Sequence, residues 1–242
     1  MGDAALVGEN LGRIPARRKW PWVLLAVVVA LVAAIVAARW VWFPQHRPAL
    51  GEGERYGLDV SKHQGLIDWE RVANDEIDFA YIKASEGGDL VDRRFAENWA
   101  AAGAAGLDRG AYHFFTLCRP GADQARNFLN VVPYREAELP LAVDLELGGN
   151  CRARPPAEEV LAEVEAFIDA VEAATETEIL LYVLDDFNKI YPALNRFERP
   201  RWERRILLRP DSDWLMWQFT FEGEVDGVER GVDINVLRDP NT

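Results

Sequence analysis

The sequence predicts an α/β protein: a modified TIM-like β/α barrel with a helix-poor C-terminal third, preceded by one transmembrane helix. Three observations predict it. Short apolar strand patterns alternate with helical ones from about residue 56 to residue 194, and alternation of this kind builds a parallel sheet. Beyond residue 194 the helical patterns stop and three strand patterns follow one another. Ahead of all this, residues 20 to 38 carry no charge.

As a helix that uncharged run would reach about 28 Å, enough to cross a bilayer's hydrocarbon core. Arg13, Arg17, Arg18 and Lys19 precede it, so residues 1–19 read as a basic cytoplasmic tail. Everything after Phe43 would then lie outside, in a periplasmic or extracellular space. Trp20 and Trp22 at one end, and Trp40, Trp42 and Phe43 at the other, suit the two interfaces, which sets the anchor at residues 20–43. The competing reading is a cleaved signal peptide, with Val36-Ala37-Ala38 as its small-residue site. On either reading the remainder leaves the cytoplasm. Residues 44–54 hold Pro, Gly and polar residues without an apolar period and read as a linker, leaving 55–242 as one domain.

Within that domain the strand around Asp59 is followed by a short helix, Ile67 to Ala73, then by strand Phe79 to Ser85 and an Ala-rich helix, Arg93 to Gly106. Strand Arg109 to Phe115, helix Gly121 to Val132 and strand Leu141 to Leu147 come next. A long helix, Pro156 to Thr175, places Val160, Leu161, Val164, Phe167, Ile168 and Val171 on one stripe, with proline at its start. Ile179 to Leu184 is strand and Asp185 to Leu194 a short helix. Trp202 to Leu208, Leu215 to Thr220 and Val232 to Leu237 complete the pattern as strands.

Charge and cysteines bound the function. Of 27 Lys/Arg and 40 Asp/Glu, the first 49 residues hold six and two, so the rest carries 21 and 38, a net −17 that argues against a nucleic-acid partner. His46, His63 and His113 are scattered and show no zinc-ligand spacing, so neither metal nor cofactor is expected. Cys118 and Cys151 each follow a strand by a few residues. If those strands are neighbours, both cysteines sit in strand-exit loops where an oxidising space would join them; the alternative is two free thiols.

The chemistry concentrates in Asp144 and Glu146. On a strand two such positions face the same side with α-carbons about 7 Å apart, while Val143, Leu145 and Leu147 face the other way. Charging both acids in one small space is unfavourable, so one should hold a proton near neutrality, as a general acid for glycosidic cleavage must. The plain structural alternative is a pair of acids neutralised by Arg or Lys. Asp59 and Asp233 lie on short apolar strands near the two ends of the domain, and closing a barrel would bring those strands together beside the central pair.

These residues carry a resemblance. Gly57-Leu58-Asp59-Val60-Ser61, Ile82-Lys83-Ala84-Ser85-Glu86-Gly87, Gly110-Ala111-Tyr112-His113-Phe114, Val143-Asp144-Leu145-Glu146, Trp217-Gln218-Phe219 and Val232-Asp233-Ile234-Asn235 resemble, in order, the motifs of family 25 glycoside hydrolases, the Chalaropsis-type lysozymes. The resemblance implies the same modified barrel and an N-acetylmuramidase acting on peptidoglycan glycan strands. It implies Glu146 as general acid, with Asp144 charged to orient the 2-acetamido group or stabilise the transition state. Asp233 is the rival for that task or for nucleophilic attack, and Asp59 fixes the network. Lys83 and Tyr112 are candidates for sugar contact or for lowering the pKa of Asp144, and Tyr182 and Trp217 match aromatic sugar platforms. His63 and His113 read as structural and Glu86 as a loop charge. Two other functions fit the same motifs: a non-catalytic glycan-binding module of the cell wall, and a hexosaminidase acting on another polymer.

Overall fold

The computed structural model describes residues 20–238, which belong to two compact units divided between Trp42 and Phe43. The predicted basic tail lies outside the described residues. The first unit is an α-helix, Trp20–Ala37, continued by a π-helical turn, Ala38–Trp42. Its apolar side chains are exposed all round, with Leu25, Val29 and Ile35 each more than half accessible, so it has no polar face to give to water. Helical backbone continues through Phe43–Gln45, two residues beyond the predicted end. The stretch Trp22–Gln45 is long and apolar enough to cross a membrane.

Among the described residues the second unit contains nine strands: β1 Glu54–Val60, β2 Phe79–Glu86, β3 Leu90–Val91, β4 Asp108–Phe114, β5 Ala142–Leu145, β6 Leu180–Val183, β7 Arg201–Arg204, β8 Met216–Gly223 and β9 Val232–Arg238. Eight close a barrel in the order β1, β2, β4, β5, β6, β7, β8, β9, with β9 pairing back to β1. All neighbours are parallel except β9, which is antiparallel to both β1 and β8. That reversal explains the missing final helix, because an antiparallel return needs only a loop. The short β3, absent from the sequence reading, folds back on β2 as a hairpin.

Two other expectations shift. The helix expected over Asp185 to Leu194 is two helices, Asp185–Ile190 and Ala193–Arg196, because Pro192 cannot continue the first. The strand expected to reach Leu208 stops at Arg204, and Leu207 adopts a positive φ of 63° that no strand accommodates.

Alternation along each strand sorts the core into two layers. Outward residues such as Leu58, Ile82, Val143, Leu145, Leu181 and Ile234 pack beneath the helices Trp69–Ala73, Phe95–Ala104, Gly121–Val131 and Ala157–Thr175. Inward residues Phe79, Tyr81, Leu180, Trp202, Met216 and Leu237 fill the barrel. Two glycines make room for these rings: a Cβ on Gly57 would lie 2.3 Å from the Phe79 ring, and one on Gly110 2.4 Å from that of Tyr81. The barrel is thus plugged towards its strand entrances, and the polar inward residues are left for the exits.

The expected linker is not a free tether. Arg47 donates to both the carboxylate and the carbonyl of Asp75 at 2.7 Å and lies over the Tyr56 ring, and Tyr56 donates to the Pro48 carbonyl. Arg209 donates to the Ala49 carbonyl at 2.9 Å, and the Glu224 amide donates to that of Pro44 at 2.8 Å. Low apolar content made this segment look unconstrained, but its backbone carbonyls and one arginine give it fixed partners on the barrel.

Candidate active site

At the strand exits lies a cleft of about 390 Å³ lined by Asp59, Ser61, His63, Lys83, Glu86, Tyr112, Phe114, Asp144, Glu146, Tyr182, Trp202, Arg204, Gln218 and Asp233. The positions 59, 112, 144, 182, 204, 218 and 233 are inward-facing steps of seven different strands, so period-two geometry alone turns them to one space. Another cavity, around Trp214 and Arg238, sits at the strand entrances and gathers none of these acids.

Barrel closure sets Asp59 directly opposite Asp233 in the β1/β9 register. A hydrogen-bonded chain fixes the first of them. Tyr182 donates to Gln218 Oε1 at 2.9 Å, and Gln218 Nε2 donates to Asp59 Oδ2 at 3.1 Å. From the other side the Trp202 indole donates to Asn235 Oδ1 at 2.8 Å, and Asn235 Nδ2 donates to the same Asp59 oxygen at 2.8 Å. Because each amide oxygen is occupied, each amide nitrogen must face the carboxylate. Burial pushes Asp59 up to about 7 against these donors, and burial with the Asp59 charge pushes Asp233 up to about 9. The pair as a whole therefore holds a proton more readily than free carboxylates do.

Asp144 lies on β5, whereas Glu146 falls one residue past the strand end, nearer the mouth. Asp144 Oδ1 is buried and has no hydrogen-bond partner among the described residues. Burial, then the Glu146 charge, raises Asp144 well above the ordinary carboxylate range, with Lys83 opposing. Glu146 is raised too, chiefly by burial, and Arg204 and Lys83 oppose it. No donor from the described residues offsets that burial at Asp144 Oδ1. Lys83 does not touch Asp144: its ammonium pairs with Glu86 at 2.8 Å and lies 4.4 Å from the centre of the Phe114 ring. Glu86 is accordingly a wall of the cleft rather than a loop charge.

The backbone at Glu146 is held by Asn150. Its amide nitrogen donates to the carbonyls of Phe115 at 2.8 Å and Glu146 at 3.0 Å, and its oxygen accepts from the Leu117 and Cys151 amides at 2.9 Å. A disulfide between Cys118 and Cys151 joins the same two loops, those after β4 and β5.

Trp217 is not in the cleft. It is 1% exposed, packs outward on Trp214 and Phe219, and donates to the Arg205 carbonyl at 2.7 Å. Its neighbours Met216 and Gln218 take the inward positions, and the indole that lines the cleft is Trp202. His63 is exposed at the rim, not structural. His113 does face away: it bonds Ser85 at 2.8 Å and Gln124 at 3.2 Å and stacks on Phe167, and burial lowers its pKa to about 3. Trp202, Arg204, Gln218, Asn235 and Asn150 were missed in the sequence. Alternation from Asp233 reaches Asn235, and alternation in β7 would have found Trp202 and Arg204; nothing local marks Asn150. Among the described residues no group of acids, histidines or cysteines could hold a metal ion.

Comparison with known proteins gives the same picture. The model of glycosyl hydrolases family 25 matches residues 58–228. The uncharacterized protein YegX of Escherichia coli is 33% identical, over 93% of this chain and 92% of its own length. Lysozyme M1 of Streptomyces globisporus is 30% identical over 74% of this chain and 66% of its own. Among solved structures, a family 25 glycosyl hydrolase from Bacillus anthracis superposes with a TM-score of 0.70 at 32% identity, covering 80% of this chain and 93% of that one.

Proposed function

We propose that this chain, which belongs to glycosyl hydrolases family 25, is a lysozyme that hydrolyses the β-1,4 bond between N-acetylmuramic acid and N-acetylglucosamine in peptidoglycan. The observation that carries the reading is the meeting of four acids from three strand ends in one cleft. Glu146, nearest the mouth, protonates the leaving glycosidic oxygen as the bond to the anomeric carbon breaks. Its pKa is raised, chiefly by burial, which favours holding that proton. Asp144, with one oxygen unpartnered, accepts the N–H of the 2-acetamido group, a donor that favours its ionised form in the complex, and turns the acetamido oxygen towards the anomeric carbon. Asp233, once it has lost its proton, is the alternative nucleophile, and either route retains the anomeric configuration. Asp59 holds the pair in place. Tyr112, Tyr182 and Trp202 line the cleft that takes the sugars, the last two nearly buried, and Lys83 tempers the acids.

The division of the chain follows the same proposal: residues 1–19 as a cytoplasmic tail, 20–43 as a single-pass anchor, 44–54 as a docked linker and 55–242 as a catalytic domain outside the cytoplasm. The apolar helix supports an anchor or an export signal, and the basic cluster before it supports the orientation.

Mass analysis of products made by the full chain in detergent from purified peptidoglycan tests the reading. New reducing ends on N-acetylmuramic acid are expected. Reducing ends on N-acetylglucosamine would make it a different hexosaminidase, and binding without cleavage would make it a glycan-binding module.

A further inference from the structure

The cleft contains one lysine and one arginine, Lys83 and Arg204, and they are used differently. Lys83 is committed to Glu86. Arg204 ends β7, is exposed, and forms no ion pair or side-chain hydrogen bond with any described residue. The adjoining Arg205 and the nearby Arg209 do have partners, Asp211 and Glu54. Arg204 stands close enough for its charge to be felt at Asp144, Glu146 and Asp233 without bonding to them.

A guanidinium offers a planar fork of N–H donors matched to a carboxylate, and it stays charged at any working pH. A domain with a net charge of −17 repels an anionic polymer unless a cation at the cleft meets its charge. On the lysozyme reading the substrate is such a polymer, because every second sugar bears a lactyl ether whose carboxyl is either free or extended by a peptide that itself carries carboxylates. We propose that Arg204 is a specificity-determining residue that receives a carboxylate borne by the muramic acid side of the substrate, and so separates these glycans from neutral N-acetylglucosamine polymers. The inference rests on the lysozyme reading and adds to it the group that selects the substrate.

The test compares wild type and Arg204→Gln, as full chains in detergent, on three glycans: strands stripped of peptide, the same strands with their lactyl carboxylates converted to neutral amides, and strands that keep their peptides. Arg204→Gln should raise KM about tenfold on a carboxylate-bearing strand with kcat little changed, the scale of one exposed charge-assisted contact. Amidation should raise the wild-type KM by a similar factor and leave the variant's unmoved, and Arg204→Lys should recover part of the loss. Loss on stripped strands assigns the lactyl carboxylate; loss only on peptide-bearing strands assigns the peptide. An unchanged KM on both charged substrates, or an equal loss on charged and amidated strands with a displaced pH profile, overturns the proposal. Binding of the three glycans by Glu146→Gln, with and without Arg204→Gln, makes the same comparison without turnover. A wild type that cleaves nothing would therefore sink the lysozyme reading while leaving Arg204 separately decided.

Discussion

Asp59 and Asp233 stand opposite one another in the antiparallel pair that closes the barrel, and the amides of Gln218 and Asn235 donate to Asp59. The pair therefore holds its proton to far higher pH than two aspartates in an unfolded chain would. Both folded-state values, about 7 and about 9, lie above the ordinary 3.8. A group whose pKa rises on folding contributes stability that is complete below its unfolded value and lost as pH climbs through the folded one. Stability should thus decline from pH 4 towards pH 9 through these two acids. Asp233→Asn removes one titration and offers Asp59 a further donor, so it should gain about 1 to 2 kcal/mol over wild type at alkaline pH and flatten the decline. Denaturant unfolding at pH 5, 7 and 9 checks this; an Asn variant with the wild-type slope would show that the pair is not the cause.

Glu146→Gln keeps the shape of the side chain and removes its transferable proton. Turnover on peptidoglycan should fall about 10²- to 10⁴-fold, the usual worth of a general acid, with the melting temperature held or raised. A variant keeping more than about a tenth of wild-type turnover would move the acid's role to another residue.

The two tryptophans of the last strands separate packing from recognition. Trp217 lies in the outer core and Trp202 lines the cleft while holding Asn235. Trp217→Ala should cost about 3 to 5 kcal/mol of stability, as large core truncations do. The fraction that remains folded should show an unaltered KM. Trp202→Phe should instead free the Asn235 amide, lower kcat and shift the pH profile. Equal effects of the two changes on KM would contradict this division.

The architecture was readable because strand and helix periods differ and because most inward residues at the exits are polar where outward ones are not. Asp59, Asp144 and Asp233 stood out as acids in apolar runs, and a closed barrel was enough to gather them. Trp217 was misread because the resemblance, not the alternation, assigned it: Gln218, which shares a hydrogen-bonded chain with Asp59, puts its neighbour Trp217 on the other face of β8. Asn150 and the docking of residues 44–50 depend on backbone carbonyls, which leave no trace in side-chain chemistry. Arg204 looked like one arginine among several until its lack of a partner could be compared with its neighbours.

The Cys118–Cys151 bridge and Asn150 restrain the same backbone that carries Glu146, but they do so differently. The bridge closes a sequence separation of 33 residues and acts mainly on the unfolded chain, which is worth on the order of 3 to 4 kcal/mol. Asn150 acts in the folded state, tying the Glu146 carbonyl to the loop after β4. Reduction, or Cys118→Ser with Cys151→Ser, should therefore lower the melting temperature while activity at low temperature falls by no more than a few-fold, because Asn150 still holds the loop. Asn150→Ala should do the reverse within the same assay, lowering kcat more than stability once the bridge is intact. The two measurements together identify the restraint: if reduction abolished activity below the melting transition, the bridge itself would be positioning Glu146, and if Asn150→Ala left kcat unchanged, the hydrogen bond to its carbonyl would not be.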